Sequence, residues 1–286
     1  MPELPEVETV RAQLEPGLVG RRFQRVEILD PRLTRPFDPV GVAVELVRER
    51  VSALERRGKY LIVRFESGRA LLVHLRMTGQ LLHSNGDALP ESDPHRRAVV
   101  RLDDGSDVVY RDVRRFGTWL LLEPGELDGY IEERLGPEPL AREFTTRRLG
   151  EALAARRAPV KAVLLDQRRI AGVGNIYADE ALWRAAIHPL RPAGDLGSRE
   201  LSALHRGIRR ALKAGIARQG ATLSDYRTPD GGRGRMQDEF KVYGREGEPC
   251  ERCGTPIEKI RAAGRGTWYC PSCQRRAHDR SGLARL

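Results

Sequence analysis

Cysteine is missing from the first 249 residues; all four, Cys250, Cys253, Cys270 and Cys273, fall in the last 37. That leaves no disulfide framework across the chain, and in a reducing compartment clustered thiols point to a metal. No apolar run approaches the ~18–20 residues of a membrane-spanning helix. The start, MPELPEVETV, has neither the basic n-region nor the apolar h-region of a secretory signal. These absences lead us to expect a cytoplasmic protein. Internal repeats and low-complexity tracts are also absent, which excludes solenoids and biased tails. The histidines His74, His83, His95, His188, His205 and His278 are scattered without metal spacing, so none is given a catalytic role. Gly172 and Gly174 lack a third glycine and a βαβ context, so a dinucleotide loop is excluded.

The 286 residues suffice for two cores, and 40% hydrophobic content with mixed charge is ordinary for a folded chain. Lys and Arg exceed Asp and Glu by ten, giving a pI near 9.9 and favouring a polyanionic partner. The excess is clustered: residues 250–286 hold eight Lys or Arg against three acids.

Val7, Val10 and Leu14 recur at helical spacing behind Pro5, which predicts a helix from Pro5 to Glu15 closed by Pro16-Gly17. Strand-like segments follow at Arg22 to Leu29, Tyr60 to Phe65, Ala70 to Leu75, Ala98 to Leu102, Val108 to Arg111 and Thr118 to Leu122. Ser67-Gly68 and Asp104-Gly105 supply hairpin turns. This half reads as an antiparallel β-sandwich or barrel behind one helix. LGPEPL at residues 135–140 has linker composition, and the pattern beyond it is helical. Ser198 is expected to cap a helix striped by Leu201, Leu204, Ile208 and Leu212, with shorter helices near residues 160–165 and 178–185. The glycine-rich stretch from Tyr226 to Asp238 has no periodicity and is expected to be a mobile loop.

Two features carry chemistry. Cys250-x-x-Cys253 and Cys270-x-x-Cys273 each place two thiolates on a tight knuckle. Together they make the closed tetrahedral sulfur site that structural zinc prefers. Between the knuckles, residues 257–261 and 267–270 are expected to pair as a hairpin whose tip, residues 263–266, carries Arg265 between glycines, a geometry suited to a phosphate. At the other end, a small residue after the initiator methionine favours its removal, leaving Pro2 as a secondary amine near the ~7.7–8.0 of α-amines. Such an amine can attack a sugar C1′ and form an iminium, with Glu3 moving protons beside it. From these residues alone an ordinary helix lead-in at Pro2 is the commoner outcome, and Lys59 reads as a surface lysine at a strand edge.

PELPEVETV at the start, RRGKYL at residues 56–61, HLRMTG at 74–79, RRFG at 114–117, LGPEPL, GVGNIYADE at 172–180 and VYGREGEPC before the ribbon occur jointly and in order. In this the chain resembles formamidopyrimidine-DNA glycosylase. The resemblance implies an α+β protein with a β-sandwich and leading helix over 1–134, a helical helix-two-turn-helix domain over 135–240, and a zinc ribbon with its tail over 241–286. It implies a monomer that holds damaged double-stranded DNA in a basic cleft between these domains. The implied activity is glycosylase and AP lyase: excision of 8-oxoguanine and formamidopyrimidines, then β,δ-elimination.

Carried over residue by residue, Pro2 matches the family's nucleophile, Glu3 its acid-base group, and Lys59 a lysine on DNA phosphate that supports catalysis. Asn175 and Arg265 match the pair that grips the lesion phosphate. Met77, Arg114 and Phe116 match the side chains that enter the duplex where the nucleotide has left, and Glu6 one that organises the lesion site. His95 and Arg115 fall within DNA-binding motifs. The chain departs from the family at Val113 (usually proline), at Arg76 (usually glycine), and at Arg97 (often a second histidine). The Gly231–Met236 loop, which in the family covers the extruded base, lacks the aromatic residue that relatives commonly place there. Two rivals stand beside this reading. One is an endonuclease VIII-like enzyme for oxidised pyrimidines, which PELPE and the lysine of RRGKYL argue against. The other is a non-catalytic DNA-binding zinc-ribbon protein.

Overall fold

A computed structural model describes residues 1–84 and 92–276; His278 and the tail from residue 277 lie outside the described residues. The chain divides into two compact units, one of residues 1–133 and 215–237, the other of residues 134–214 and 238–286.

In the first unit, α1 (Leu4–Leu18) precedes two four-stranded antiparallel sheets. One runs in the order β1 (Phe23–Ile28), β6 (Arg96–Leu102), β7 (Asp107–Asp112), β5 (Gly79–Ser84). The other runs β2 (Val51–Arg57), β3 (Tyr60–Phe65), β4 (Ala70–His74), β8 (Thr118–Leu122). Two short helices, α2 (Pro39–Leu46) and α3 (Glu126–Arg134), accompany the sheets. The expected sandwich is therefore present, with β2, β5, α2 and α3 added to what the pattern revealed.

Leu14, Leu18, Phe23, Val63, Leu71, Val73, Leu81, Val100 and Trp119 meet in one buried cluster fed by α1 and both sheets. Each such side chain contributes roughly 1.5–3 kcal/mol by leaving water. That burial explains one correction: α1 does not stop at Pro16-Gly17 but runs to Leu18, with Pro16 inside it. Proline removes one helical N–H, yet Leu18, 3% exposed, keeps the last turn against the core. The hairpins form where expected, with Gly68 at φ 88° and Gly105 at φ 85°, a conformation glycine adopts without a Cβ clash.

In the second unit, α4 (Thr146–Leu153) is capped by the Thr145 hydroxyl, which accepts from Arg148 N–H. It is followed by α5 (Val160–Leu165), α6 (Asn175–Ala185) and α7 (Ser198–Ala217), the last crossing the boundary between units. Ser198 is the first residue of α7 rather than its cap. The preceding Gly197 carbonyl accepts from Leu201, and Gly197 N–H is held by the Glu200 carboxylate. The last strands among the described residues form a two-stranded ribbon, β9 (Glu258–Ala262) and β10 (Arg265–Tyr269). The turn is Ala263-Gly264, both at positive φ, so Arg265 opens β10 opposite Ala262 instead of sitting at the tip. Among the described residues no helix is long and apolar enough to cross a membrane.

Candidate active site and metal centre

At the amino end Pro2 is buried and Glu3 is 2% exposed at the head of α1. Glu3 and Glu6 form a reciprocal capping box in which Glu3 N–H donates to Glu6 Oε2 at 2.8 Å. The helix N-terminus thus directs its partial positive charge at the Glu3 carboxylate. The second oxygen of Glu6 accepts Ala221 N–H at 2.8 Å. A Cβ on Gly220 would stand 2.7 Å from Glu6 Cγ, and Gly220 lies at φ 79°, so both space and backbone demand glycine there.

The stretch 226–238, expected to be a mobile loop, is held to its surroundings by a set of hydrogen bonds. Tyr226 Oη donates to the Gln219 carbonyl, Gly234 N–H to Thr222, and Met236 N–H to the Gly220 carbonyl. Met236 and Thr228 are buried, so the segment is pinned from several sides. The stretch lacks periodicity because its order comes from individual hydrogen bonds, which leave no repeating apolar pattern.

Lys59 occupies the two-residue β2–β3 turn behind Gly58 (φ 57°) and is 6% exposed. The surface position inferred from residue type alone does not hold. His74, ending β4, packs edge-on to Tyr60 with ring centroids 4.8 Å apart, and its Nδ1 accepts Arg76 N–H at 2.9 Å. Burial, helped by the positive charges of Arg76 and Lys59, lowers its pKa to about 3, so the ring is neutral at neutral pH.

Met77, half-buried, lies just before β5; Arg114 and Phe116 lie between β7 and β8. Phe116 is 53% exposed, with the Arg114 guanidinium 4.8 Å from its ring centre. Arg115 is engaged within the fold by both oxygens of the buried Asp30, which holds that carboxyl below its ordinary range. Arg97, the departure from histidine, donates from Nε to the Asp112 carbonyl at 2.9 Å, and its Nη2 lies 3.5 Å from His95 Nδ1. Arg76, Val113, Arg114 and Phe116 are all exposed here, and Arg114 and Phe116 are the two that pack on each other.

In the second unit, Asn175 opens α6, and its Nδ2 donates to the Gly266 carbonyl beside the exposed Arg265. Sequence reasoning missed what fixes this pairing. Lys161 and Asp179, each wholly buried, form an ion pair at 2.7 Å, and Lys161 also donates to Thr267 Oγ1 and the Gly266 carbonyl. Asp179 accepts Trp268 N–H, and burial pushes its pKa up to about 7 against the pull of Lys161. Glu180 Oε1 accepts the N–H groups of Lys241, Val242 and Tyr243, while Oε2 takes Arg184. A lysine in a helical stretch and an Asp-Glu pair inside GVGNIYADE are the available signals, and neither identifies its partner.

The four cysteine sulfurs lie within 4.8 Å of one another. Tetrahedral zinc at ~2.3 Å from each sulfur requires separations of roughly 3.8 Å, so the set fits one structural zinc with no open position. Trp183 Nε1 donates to Cys250 Sγ at 3.4 Å and Cys273 N–H to Cys270 Sγ at 3.4 Å, the outer hydrogen bonds a thiolate site uses.

Comparison with known proteins matches three consecutive families: the formamidopyrimidine-DNA glycosylase N-terminal domain over residues 1–119, its H2TH domain over 135–227, and a zinc finger found in FPG and IleRS over 247–276. A formamidopyrimidine-DNA glycosylase of Roseiflexus sp. is 48% identical over 96% of this chain and 100% of its own length. The corresponding protein of Symbiobacterium thermophilum is 50% identical over 96% and 89%. Among solved structures, Lactococcus lactis Fpg with an abasic-site-containing DNA aligns at TM-score 0.88 and 37% identity, covering 96% of this chain and all of that one. The same organism's wild-type enzyme with an oxidised-pyrimidine-containing DNA aligns at 0.87 and 38%, with the same coverage.

Proposed function

The chain belongs to the formamidopyrimidine-DNA glycosylase family, and on that premise we propose that it is a base-excision repair glycosylase and AP lyase for oxidised purines in duplex DNA. With Met1 removed, the neutral Pro2 amine attacks C1′ of the damaged nucleotide; the N–C1′ bond forms as the bond to the base breaks, and the proton shed by the Pro2 nitrogen goes to the departing base. Glu3 supplies the proton that opens the sugar ring, giving an iminium. Loss of a C2′ proton then expels the 3′ phosphate, a second elimination expels the 5′ phosphate, and water releases the enzyme. Lys59, Asn175, Arg265 and His95 serve as phosphate or DNA contacts in this reading, and Met77, Arg114 and Phe116 replace the extruded nucleotide in the stack. Arg115 contributes by bracing its loop on Asp30. The working parts are three modules, 1–134, 135–240 and 241–286, in a cytoplasmic monomer.

The observation that carries the reading is the capping box. It sets Glu3 beside Pro2 at the positive end of α1 and, through Glu6, ties that helix start to the Gly220-Ala221 segment. Borohydride trapping tests it on duplexes containing 8-oxoguanine opposite cytosine, with an oxidised-pyrimidine duplex alongside. A covalent adduct that forms on the purine duplex and disappears in Pro2→Gly is expected. The Lactococcus lactis complex with an oxidised pyrimidine makes the second duplex necessary: preference for it would move the substrate class to pyrimidines. No adduct on either, with binding intact, would leave a DNA-binding protein.

A further inference from the structure

The side chains read as entering the duplex come from two loops that share one buried acid. Residues 75–79 carry Met77, and residues 113–117 carry Arg114 and Phe116. Each loop ends at a glycine packed on Tyr110: a Cβ would stand 2.3 Å from Tyr110 Oη at Gly79 and 1.7 Å at Gly117. Asp112, 1% exposed at the end of β7, lies between the loops. Its Oδ1 accepts the Thr78 hydroxyl, and its Oδ2 accepts Gly117 N–H at 2.8 Å. Thr78 Oγ1 in turn accepts Arg114 N–H at 2.9 Å, so the same relay joins one loop to the other.

The main chain of Asp112 is fixed from a third side. Its N–H donates to the His95 carbonyl and its carbonyl accepts Arg97 Nε, both at 2.9 Å. A carboxylate offers one acceptor to each loop, whereas an amide would turn a donor toward one of them.

We propose that Asp112 is a positioning residue that holds the two loops in register, so that Met77, Arg114 and Phe116 meet the duplex as one preassembled wedge. It touches neither the substrate nor the reacting atoms. This rests on the reading of those three side chains given above. Extruding a paired base requires unstacking that the wedge must offset, while an abasic site has no base to unstack. Loss of register therefore slows lesion excision and spares cleavage at a preformed abasic site.

The test compares wild type with Asp112→Asn and with Thr78→Val, which keeps the threonine shape but removes the relay hydroxyl. Three quantities are measured: single-turnover excision of 8-oxoguanine opposite cytosine, strand cleavage at a preformed abasic site, and the fluorescence rise of a 2-aminopurine next to the lesion on binding. We expect excision to fall by about 30-fold in either variant, abasic cleavage to stay within about threefold, and the fluorescence rise to slow in step with excision. Equal slowing of both substrates with an unchanged fluorescence rise, or variants at the wild-type ratio, overturns the role of Asp112 alone. A wild type inert on both substrates overturns the glycosylase reading and this proposal with it. If Asp112→Asn does not fold, Thr78→Val decides.

Discussion

The sandwich of the first unit joins more than twenty buried residues in one apolar cluster, whereas the cluster at the ribbon of the second is Trp183, Val242, Cys250, Ile257 and Cys270. A core of the first kind spreads its stabilisation over many interchangeable contacts, and deleting one side chain costs a few kcal/mol. Five residues do not hold a hairpin by burial alone. The ribbon instead relies on few, directional and mutually dependent bonds: four thiols, the Lys161–Asp179 pair and the three N–H groups on Glu180. The first unit should therefore fail gradually and the ribbon all at once.

Metal removal is the strongest test of that contrast. Cys270→Ser, or chelation of the wild type, should abolish hydrogen-exchange protection of the β9–β10 amides while those of β3 and β4 keep theirs. Structural zinc contributes about 10–16 kcal/mol of apparent folding free energy in isolated fingers. Equal loss of protection in both sheets would mean that the metal stabilises the whole chain and that the contrast is wrong. Next in size, Lys161→Met leaves the buried Asp179 carboxyl without its partner and should cost about 3–5 kcal/mol, read locally from exchange at Trp268 N–H, which Asp179 accepts. Adding Asp179→Leu should restore most of that protection, because a matched apolar pair has no charge to desolvate. A double variant no better than the single one would show that the ribbon needs the ion pair itself.

The same contrast explains what the sequence could disclose. The short apolar strand segments, the Ser67-Gly68 and Asp104-Gly105 turns and the apolar stripe of α7 are local patterns, and apolar packing enforces them. The CxxC pairs are legible because four thiols at that spacing admit few other uses. Glu6 bonding Ala221, or Lys161 facing Asp179, is a single pairing between distant positions, and no periodicity announces it. The stretch 226–238 reads as a mobile loop for that reason. Pro2 and Asn175 drew their candidate roles from the joint order of motifs along the chain, since a proline after methionine and an asparagine at a helix start are each commonplace alone.

The smallest effect lies inside the sandwich, where a polar residue departs from the apolar rule. His74 is 8% exposed, and burial, with Arg76 and Lys59 nearby, lowers its pKa to about 3, against ~6.5 when unfolded. A histidine with a depressed folded pKa contributes stability that is present above about 6.5 and is lost as pH falls toward 3, because only the unfolded chain takes up the proton. The slope grows from half its limit at pH 6.5 toward about 1.4 kcal/mol per pH unit, so roughly 1.6 kcal/mol of stability from this group should disappear between pH 6.5 and 5. His74→Phe keeps the edge-on contact with Tyr60 but cannot titrate. Urea unfolding of the first unit at several pH values should therefore give a shallower acid slope for the variant, whatever its offset at pH 7. Parallel slopes would mean that His74 accepts its proton in the native state, and that the sandwich tolerates a buried charge which the ribbon tolerates only with a partner.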